Sequence, residues 1–421
     1  MTVHSATLAI DETVRARKAA GEKVLHLGFG EAGLPVPEQV AAVLAGAAAR
    51  NGYGPVVGSY EAREAAAGWF TRRGLPTGPD QVLFAPGSKA LLFALLAALP
   101  GDLVLPCPAW VSYAAQAALV NKRVIGVPVP AESGGIPDPA LLEQALTRAR
   151  TAGANPGVLL LTVPDNPTGT VALPAHLREV CAIADRHGLA VVSDEIYAEL
   201  CHDGHRAPSA TSHLPERTLV TTGLSKSMAL GGWRTGFARV PDNAWGARVL
   251  RDVIGVASEV WSSLAAPMQA AAAFVLADPP EVTGHIAASR RLHATVARAV
   301  HAEFVRAGAL CRAPRAGFYL YPDFESARAA LADQGITTGA ELASYLLERH
   351  GVGVLAGEAF GDAPRGLRAR VATSLLYGDS ADERWEALRS DDPLALPWIS
   401  GSLDHLREAL GALVPQLGAK S

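Results

Sequence analysis

The sequence predicts an α/β protein built on a mainly parallel sheet, and three observations predict it. Between residues 80 and about 240, short apolar runs alternate with longer amphipathic stretches, the pattern of βαβ units. The runs include Val158–Thr162 and Ala190–Ser193, near-continuous in apolar residues as strands are when helices cover both faces. The segments richest in chemically capable side chains each follow one of these runs, where α/β sheets bind ligands.

The elements follow in order. Ala6–Ala20 reads as a helix, and Val24–Phe29 as an extended segment. Gly-Glu-Ala-Gly-Leu-Pro-Val-Pro, residues 30–37, is a loop by its Gly and Pro content. Glu38–Ala49 has apolar residues at helical spacing. Seven strands are expected: Gln81–Phe84, Leu103–Pro106, Val124–Pro128, Val158–Thr162, Ala190–Ser193, Thr218–Thr222 and Gly236–Val240. The longest apolar run, Ala90–Leu99, ends at Pro100; it is too short to span a bilayer and reads as a core helix. A long helix is expected over Pro279–Ala307. A smaller α+β unit follows, with strands at Gly317–Pro322 and Arg370–Ser374 and a helix at Gly339–Arg349. The polar segment Asp379–Ser402 has no evident role. The expected division is an N-terminal arm at 1–40, a large domain at 41–280 and a small domain at 281–421.

With 421 residues, 49% of them hydrophobic, the chain has ample material for a large core. A net charge of −4 without a basic patch argues against nucleic acid as a partner. Cys107, Cys181, Cys201 and Cys311 show no metal-like spacing and read as free thiols in a reducing compartment. The N-terminal residues Met1–Arg15 contain no apolar h-region. No metal and no membrane contact is expected, and the location expected is the cytoplasm.

Four groups of residues carry chemistry. Lys226 lies in Ser-Lys-Ser-Met-Ala-Leu-Gly-Gly-Trp-Arg-Thr-Gly, residues 225–236. Most lysines are solvated, but this one follows a β-rich run and precedes Gly-Gly-Trp-Arg. Asp194 follows the apolar run Leu189–Val192; a carboxylate there is costly unless paired, or else it caps a helix. Tyr197 is three residues further on. Asn166-Pro167-Thr168-Gly169 is a turn by composition. Gly87-Ser88-Lys89 opens the helix Ala90–Leu99, and a helix N-terminus is an anion site. The Arg234 guanidinium fork suits a phosphate.

In wording and order these segments resemble the class I/II aminotransferases of fold type I, from about Leu27 to about Ser374. The resemblance implies pyridoxal 5'-phosphate as cofactor. Lys226 would form its Schiff base and Asp194 would charge the pyridine nitrogen. Tyr197 and Asn166 would hold the phenolic oxygen, Asn166 also meeting the substrate carboxylate, with a cis peptide at Pro167. Gly87, Ser88, Lys89, Ser225 and Arg234 would hold the phosphate. Many relatives carry a phosphate-binding serine where this chain has Gly223, so Thr222, Ser225 or a water must compensate. Trp110 would stack on the ring, with Tyr113 as its nearby competitor. Tyr53 would reach the phosphate of a neighbouring subunit, implying a homodimer with shared sites. Arg370 would clamp the substrate α-carboxylate, with Arg368 as the competing choice, and Gly30 would face that carboxylate through its backbone.

The implied reaction moves an amino group between an L-amino acid and a 2-oxo acid by a ping-pong route. The alternative is another fold type I enzyme: a lyase, cyclase, oxidase or side-chain replacement enzyme of specialised amino-acid or natural-product biosynthesis. The same cofactor constellation serves all of these. A DNA-binding regulator on this scaffold would need an N-terminal helix-turn-helix unit, for which the first thirty residues leave no room. Loops at Gly30–Pro37, Val260–Ser263 and Ala316–Tyr319 are expected to set side-chain specificity, and none shows an obvious extra arginine for a dicarboxylate.

Overall fold

The computed structural model describes residues 5–413. Helix Ala6–Ala19 leads into β1 (Leu25–His26), and the helices Glu38–Ala47 and Tyr60–Arg72 follow. The seven expected strands all form: β2 (Val82–Ala85), β3 (Asp102–Cys107), β4 (Val124–Pro128), β5 (Pro156–Thr162), β6 (Ala190–Asp194), β7 (Thr218–Gly223) and β8 (Gly236–Arg239). They make one sheet in the order β2-β8-β7-β6-β5-β3-β4. Neighbours from β7 to β4 are parallel, and β8 runs antiparallel to both β2 and β7.

Strand periodicity sorts the core into two faces. Leu105, Leu160, Val192 and Leu219 pack under the helices Ser88–Ala98, Val111–Leu119 and Ala244–Val260. Val104, Leu159, Leu161 and Val191 pack against Pro139–Thr151 and Pro174–Arg186. Helix Ala266–Leu276, outside the expected elements, is buried at Gln269–Ala273 and again at Val275 and Leu276. A helix with so little polar face carries no clear period.

The helix Pro280–Arg306 leads to the C-terminal unit. There β9 (Tyr319–Leu320), β10 (Val352–Gly353), β11 (Leu355–Ala356) and β12 (Ala369–Ala372) form, and an antiparallel sheet runs in the order β11-β12-β9. β1 pairs with β10, and Leu25, Leu27 and Leu34 share a core with Val296, Phe304, Leu346 and Leu406. The N-terminal extended segment is therefore built into the C-terminal unit. We propose the division 1–40, 41–280 and 281–421, with the first part packed on the third; its two chain ends lie outside the described residues.

Three expectations are corrected, and one segment left open is defined. The strand over Gly317–Pro322 shrinks to β9, because Gly317 has φ +60 and its N–H bonds Leu200 O at 2.9 Å rather than a ladder partner. The strand at Arg370–Ser374 stops at Ala372, and Ser374–Tyr377 turns into a short helix. The segment Asp379–Ser402 is mostly helical: Ala381–Arg389 starts at a Ser380/Glu383 capping box, and Pro397–Leu413 closes the described chain. The cis peptide expected at Pro167 does not form; the cis bonds are at Pro108 and Pro164. Pro167 instead sits inside a one-turn loop closed by Gly169 N–H to Asp165 O at 3.1 Å, which the fixed proline φ suits.

Gly169 joins this loop to the C-terminal unit. Its φ is +68, its carbonyl accepts from Arg315 and Ala316, and a Cβ there would lie 2.1 Å from Tyr319 O. Gly188 has the same φ with nothing within 4 Å. Gly188→Ala is expected to cost about 1–2 kcal/mol, the left-handed penalty alone. Gly169→Ala should add about 1–3 kcal/mol of overpacking. Denaturant unfolding of both variants checks the difference, and equal losses would mean that β9 yields freely.

Candidate active site

The carboxyl ends of β2, β7, β6, β5 and β3 open onto a cavity of about 580 Å³. β8 brings its amino end to the same edge because it runs back against β7, Gly223 pairing with Gly236. The loop between them carries Ser225, Lys226 and Arg234 into the cavity. A larger cleft of about 780 Å³ lies elsewhere, between helix Pro280–Arg306 and the segment 385–393, away from the strand ends.

Asp194 is the last residue of β6 and is 2% exposed. Its Oδ2 accepts from the Tyr113 hydroxyl at 2.9 Å, and that hydroxyl also meets Thr162 Oγ1 at 2.7 Å. Burial pushes the Asp194 carboxyl up to about 6, against the opposing pull of the Tyr113 hydrogen bond and the Lys226 charge. The Tyr113 ring meets Trp110 edge-on at 5.2 Å, and Lys89 Nζ stands 5.2 Å from the Trp110 ring centroid. Burial, then Arg234, lowers the Lys89 pKa.

Lys226 Nζ donates to Gly30 O. Burial, then the positive charge of Arg370, brings its pKa down to about 8. Asn166 Nδ2 donates to Tyr197 Oη at 3.4 Å, Tyr197 and Tyr319 share a hydrogen bond at 2.9 Å, and Tyr319 Oη donates to Gly30 O at 3.4 Å. Arg370, 1% exposed, donates to Gly28 O and lies 5.0 Å from the Tyr319 ring centroid. Close approach explains two glycines: a Cβ at Gly30 would meet Tyr319 Oη at 2.3 Å, and one at Gly87 would meet Arg234 Nη2 at 2.2 Å.

Among the described residues, Asp194 Oδ1, Asn166 Oδ1 and Arg370 Nε are buried along this cavity without a partner. Such atoms are rare unless a ligand serves them. Asp194 Oδ1 suits a protonated ring nitrogen, and Tyr197 with Asn166 suits a ring oxygen. Ser88 at the start of its helix, with Ser225 and Arg234, suits a phosphate. The residues fit pyridoxal phosphate.

The structure brings Gly30, Ser88, Lys89, Trp110, Asn166, Asp194, Tyr197, Ser225, Lys226, Arg234 and Arg370 to one cavity, with Gly87 behind Arg234. Tyr53 is 95% exposed and does not line the cavity of its own chain; neither does Val260–Ser263. Arg368 is occupied outside it by Asp323 and Asp362. Thr222 cannot stand in for the absent serine, because its hydroxyl faces Glu195 O at 3.5 Å. A side chain at Gly223 would put Cβ 2.6 Å from Thr235 O. Ser225, which lines the cavity, or a water is left.

Sequence reasoning missed Thr162 and Tyr319, and it weighed Tyr113 only as a stacking rival. It also missed Thr7, Leu8, Asp11 and Arg15, which the first helix presents at the mouth. Thr162 ends a predicted strand, and Asp11 with Arg15 has the i,i+4 spacing of a helical pair; those were the available signals.

Comparison with known proteins agrees with this geometry. The profile of the family described as aminotransferase class I and II matches residues 22–375. The aspartate aminotransferase of Geobacillus stearothermophilus is 33% identical over 397 residues, covering 90% of this chain and 95% of that protein. The aspartate/prephenate aminotransferase of Cereibacter sphaeroides is 33% identical over 384 residues, covering 88% and 92%. The structure of Thermus thermophilus aspartate aminotransferase with maleate superposes with a TM-score of 0.82 at 25% identity, covering 97% of each chain.

The lowered pKa of Lys226 predicts a pH dependence. An ammonium whose pKa is lowered loses its proton earlier as pH rises, so the free amine should become the major form above about 8 instead of 10.5. In the cofactor-free protein, modification of Lys226 by an amine-reactive reagent, followed by peptide mass spectrometry, should rise with a midpoint near 8. A midpoint above 10 would show that the site does not tune this amine.

Proposed function

We propose the roles of individual residues from one premise: the chain belongs to the class I and II aminotransferase family and is a pyridoxal-phosphate-dependent transaminase acting on amino acids and 2-oxo acids. The observation that carries the residue roles is the convergence of Lys226 Nζ with the partnerless Asp194 Oδ1, Asn166 Oδ1 and Arg370 Nε in one cavity. When bound, the cofactor supplies a ring that takes up the electron pair left on the substrate α-carbon. Asp194 keeps that ring's nitrogen protonated, held at the end of β6 by Tyr113. Tyr197 and the Asn166 amide Nδ2 would donate to the ring oxygen, and Trp110 would stack on the ring. Arg234, Ser225, Lys89 and the turn at Gly87-Ser88 hold the phosphate. Arg370 takes the α-carboxylate as a bidentate clamp, beside the Gly30 backbone. Lys226 Nζ would hold the cofactor and, released from it, would carry the proton on and off the substrate α-carbon.

A lyase, cyclase, oxidase or side-chain replacement reaction is not favoured, since the named relatives are aminotransferases. We propose an acidic amino acid as donor. Two things support it: the relatives named for aspartate, and Arg15 at the mouth, whose Nε is tied to Asp11 Oδ2 at 2.8 Å with its outer nitrogens left to face a second carboxylate. Among the described residues no helix is long and apolar enough to cross a membrane.

We also propose a homodimer with shared sites. Its support is Tyr53, 95% exposed in a loop containing Gly52, Gly54 and Pro55. A tyrosine left so far in solvent has nothing to hold in its own subunit, whereas across a two-fold axis it can reach a phosphate.

Two experiments test these readings. Holoenzyme given an amino acid without acceptor should release one equivalent of 2-oxo acid per site and stop, with aspartate a better donor than alanine. Continued turnover would overturn the transaminase reading. Mixing inactive Lys226→Ala subunits with inactive Tyr53→Ala subunits should restore activity, since one site of each heterodimer keeps both residues. Failure to restore it despite demonstrated subunit exchange would refute the shared site.

A further inference from the structure

Tyr319 has no role in the division of labour above, yet it touches Tyr197, Gly30 and Arg370 at once. Its ring is 1% exposed, so its hydroxyl must find partners inside the protein. It has two within reach: the Tyr197 hydroxyl at 2.9 Å and the Gly30 carbonyl at 3.4 Å. Gly30 O is also the acceptor for Lys226 Nζ. The ring of Tyr319 lies under the Arg370 guanidinium at 5.0 Å and meets the Tyr197 ring edge-on at 5.4 Å.

A phenol has one proton to donate. Tyr197 Oη at 2.9 Å is the nearer acceptor for that proton, ahead of Gly30 O at 3.4 Å. We propose that Tyr319 is a positioning residue that donates to Tyr197 Oη and so sets the strength of the Tyr197 hydrogen bond. The inference rests on the proposed role of Tyr197 at the ring oxygen. A donor into Tyr197 Oη makes its own O–H a stronger donor, because hydrogen bonds in a buried chain polarise one another. Tyr319 would thereby favour the anionic ring oxygen. Burial raises the pKa of both tyrosines and keeps them neutral phenols.

The readout is the pH midpoint of the visible absorbance of the holoenzyme, which falls when the ring oxygen is stabilised as an anion. Tyr319→Phe keeps the ring under Arg370 and removes only the hydroxyl. It should raise the midpoint by about 0.3–0.5 of a pH unit, the part of a hydrogen bond that one donor passes to the next. Tyr197→Phe should raise it further. Tyr377→Phe serves as the control, since this buried tyrosine bonds His293 at 2.6 Å and does not line the cavity; it should leave the midpoint in place. Placing 3-fluorotyrosine, a stronger donor, at position 319 should lower the midpoint, a sign that loss of packing cannot produce. This substitution also covers the case in which Tyr319→Phe folds poorly. If Tyr197→Phe moves the midpoint while neither change at 319 does, the link is refuted and the role of Tyr197 stands. If Tyr197→Phe moves nothing, the underlying reading of the site fails. An equal shift from Tyr377→Phe would also refute the link, by reducing it to a packing effect.

Discussion

The site depends on a carboxylate kept out of water. Asp194 ends the central strand β6 with 2% of its surface exposed, and an isolated charge so placed is strongly disfavoured. One oxygen has the Tyr113 hydroxyl and the other has nothing. Without a ligand, burial pushes the group up to about 6. A protonated ring nitrogen at the free oxygen reverses that pressure, since an adjacent cation favours the ionised form. With the cofactor bound, Asp194 and the ring nitrogen would stabilise each other's charged forms, and the neighbouring strands frame that carboxylate. β5 contributes Thr162, directly opposite Asp194 in register, and β7 contributes Thr221 on the other side.

The reversed strand β8 is the second constraint. If β8 ran parallel to β7, its connection would cross to the far edge of the sheet and carry the loop away. Running back, the loop stays above the strand ends and holds Lys226 and Arg234 within one short span. The glycine pair Gly223–Gly236 belongs to this geometry: a Cβ on Gly236 would collide with Ser88 N at 2.3 Å. At Gly223 a Cβ would lie 2.6 Å from Thr235 O, and of the hydroxyls in this loop Ser225 is the one that lines the cavity.

The N-terminal segment links the two units. β1 pairs with β10, and Ala372 N–H bonds Leu27 O at 2.7 Å. The residues just beyond, Gly28 and Gly30, supply the carbonyls that hold Arg370 and Lys226. A shift of the C-terminal unit would therefore be felt at both groups through one short backbone segment. Arg368 shows how such a strand separates roles: two residues before Arg370, it is neutralised by Asp323 and Asp362 and never faces the cavity.

By itself the sequence determined the seven strands, their mainly parallel character and the residues at their ends. Each of these is written locally, as an apolar run followed by Asp194, Asn166, Gly87 or Lys226, and burial on both faces leaves a composition that reads directly. Tertiary structure alone decided the rest. The buried helix Ala266–Leu276 carried no period because it has almost no polar face. The proline at 167 kept its trans bond because Asp165 closes a helical turn around it. Arg370 lines the cavity while Arg368 is held outside it by carboxylates at positions 323 and 362. The parts of Thr162 and Tyr319 come from hydrogen bonds between residues far apart in the chain, Tyr113 to Thr162 and Tyr197 to Tyr319. A local pattern records what a residue is; partners brought from a distance decide what it can donate and accept.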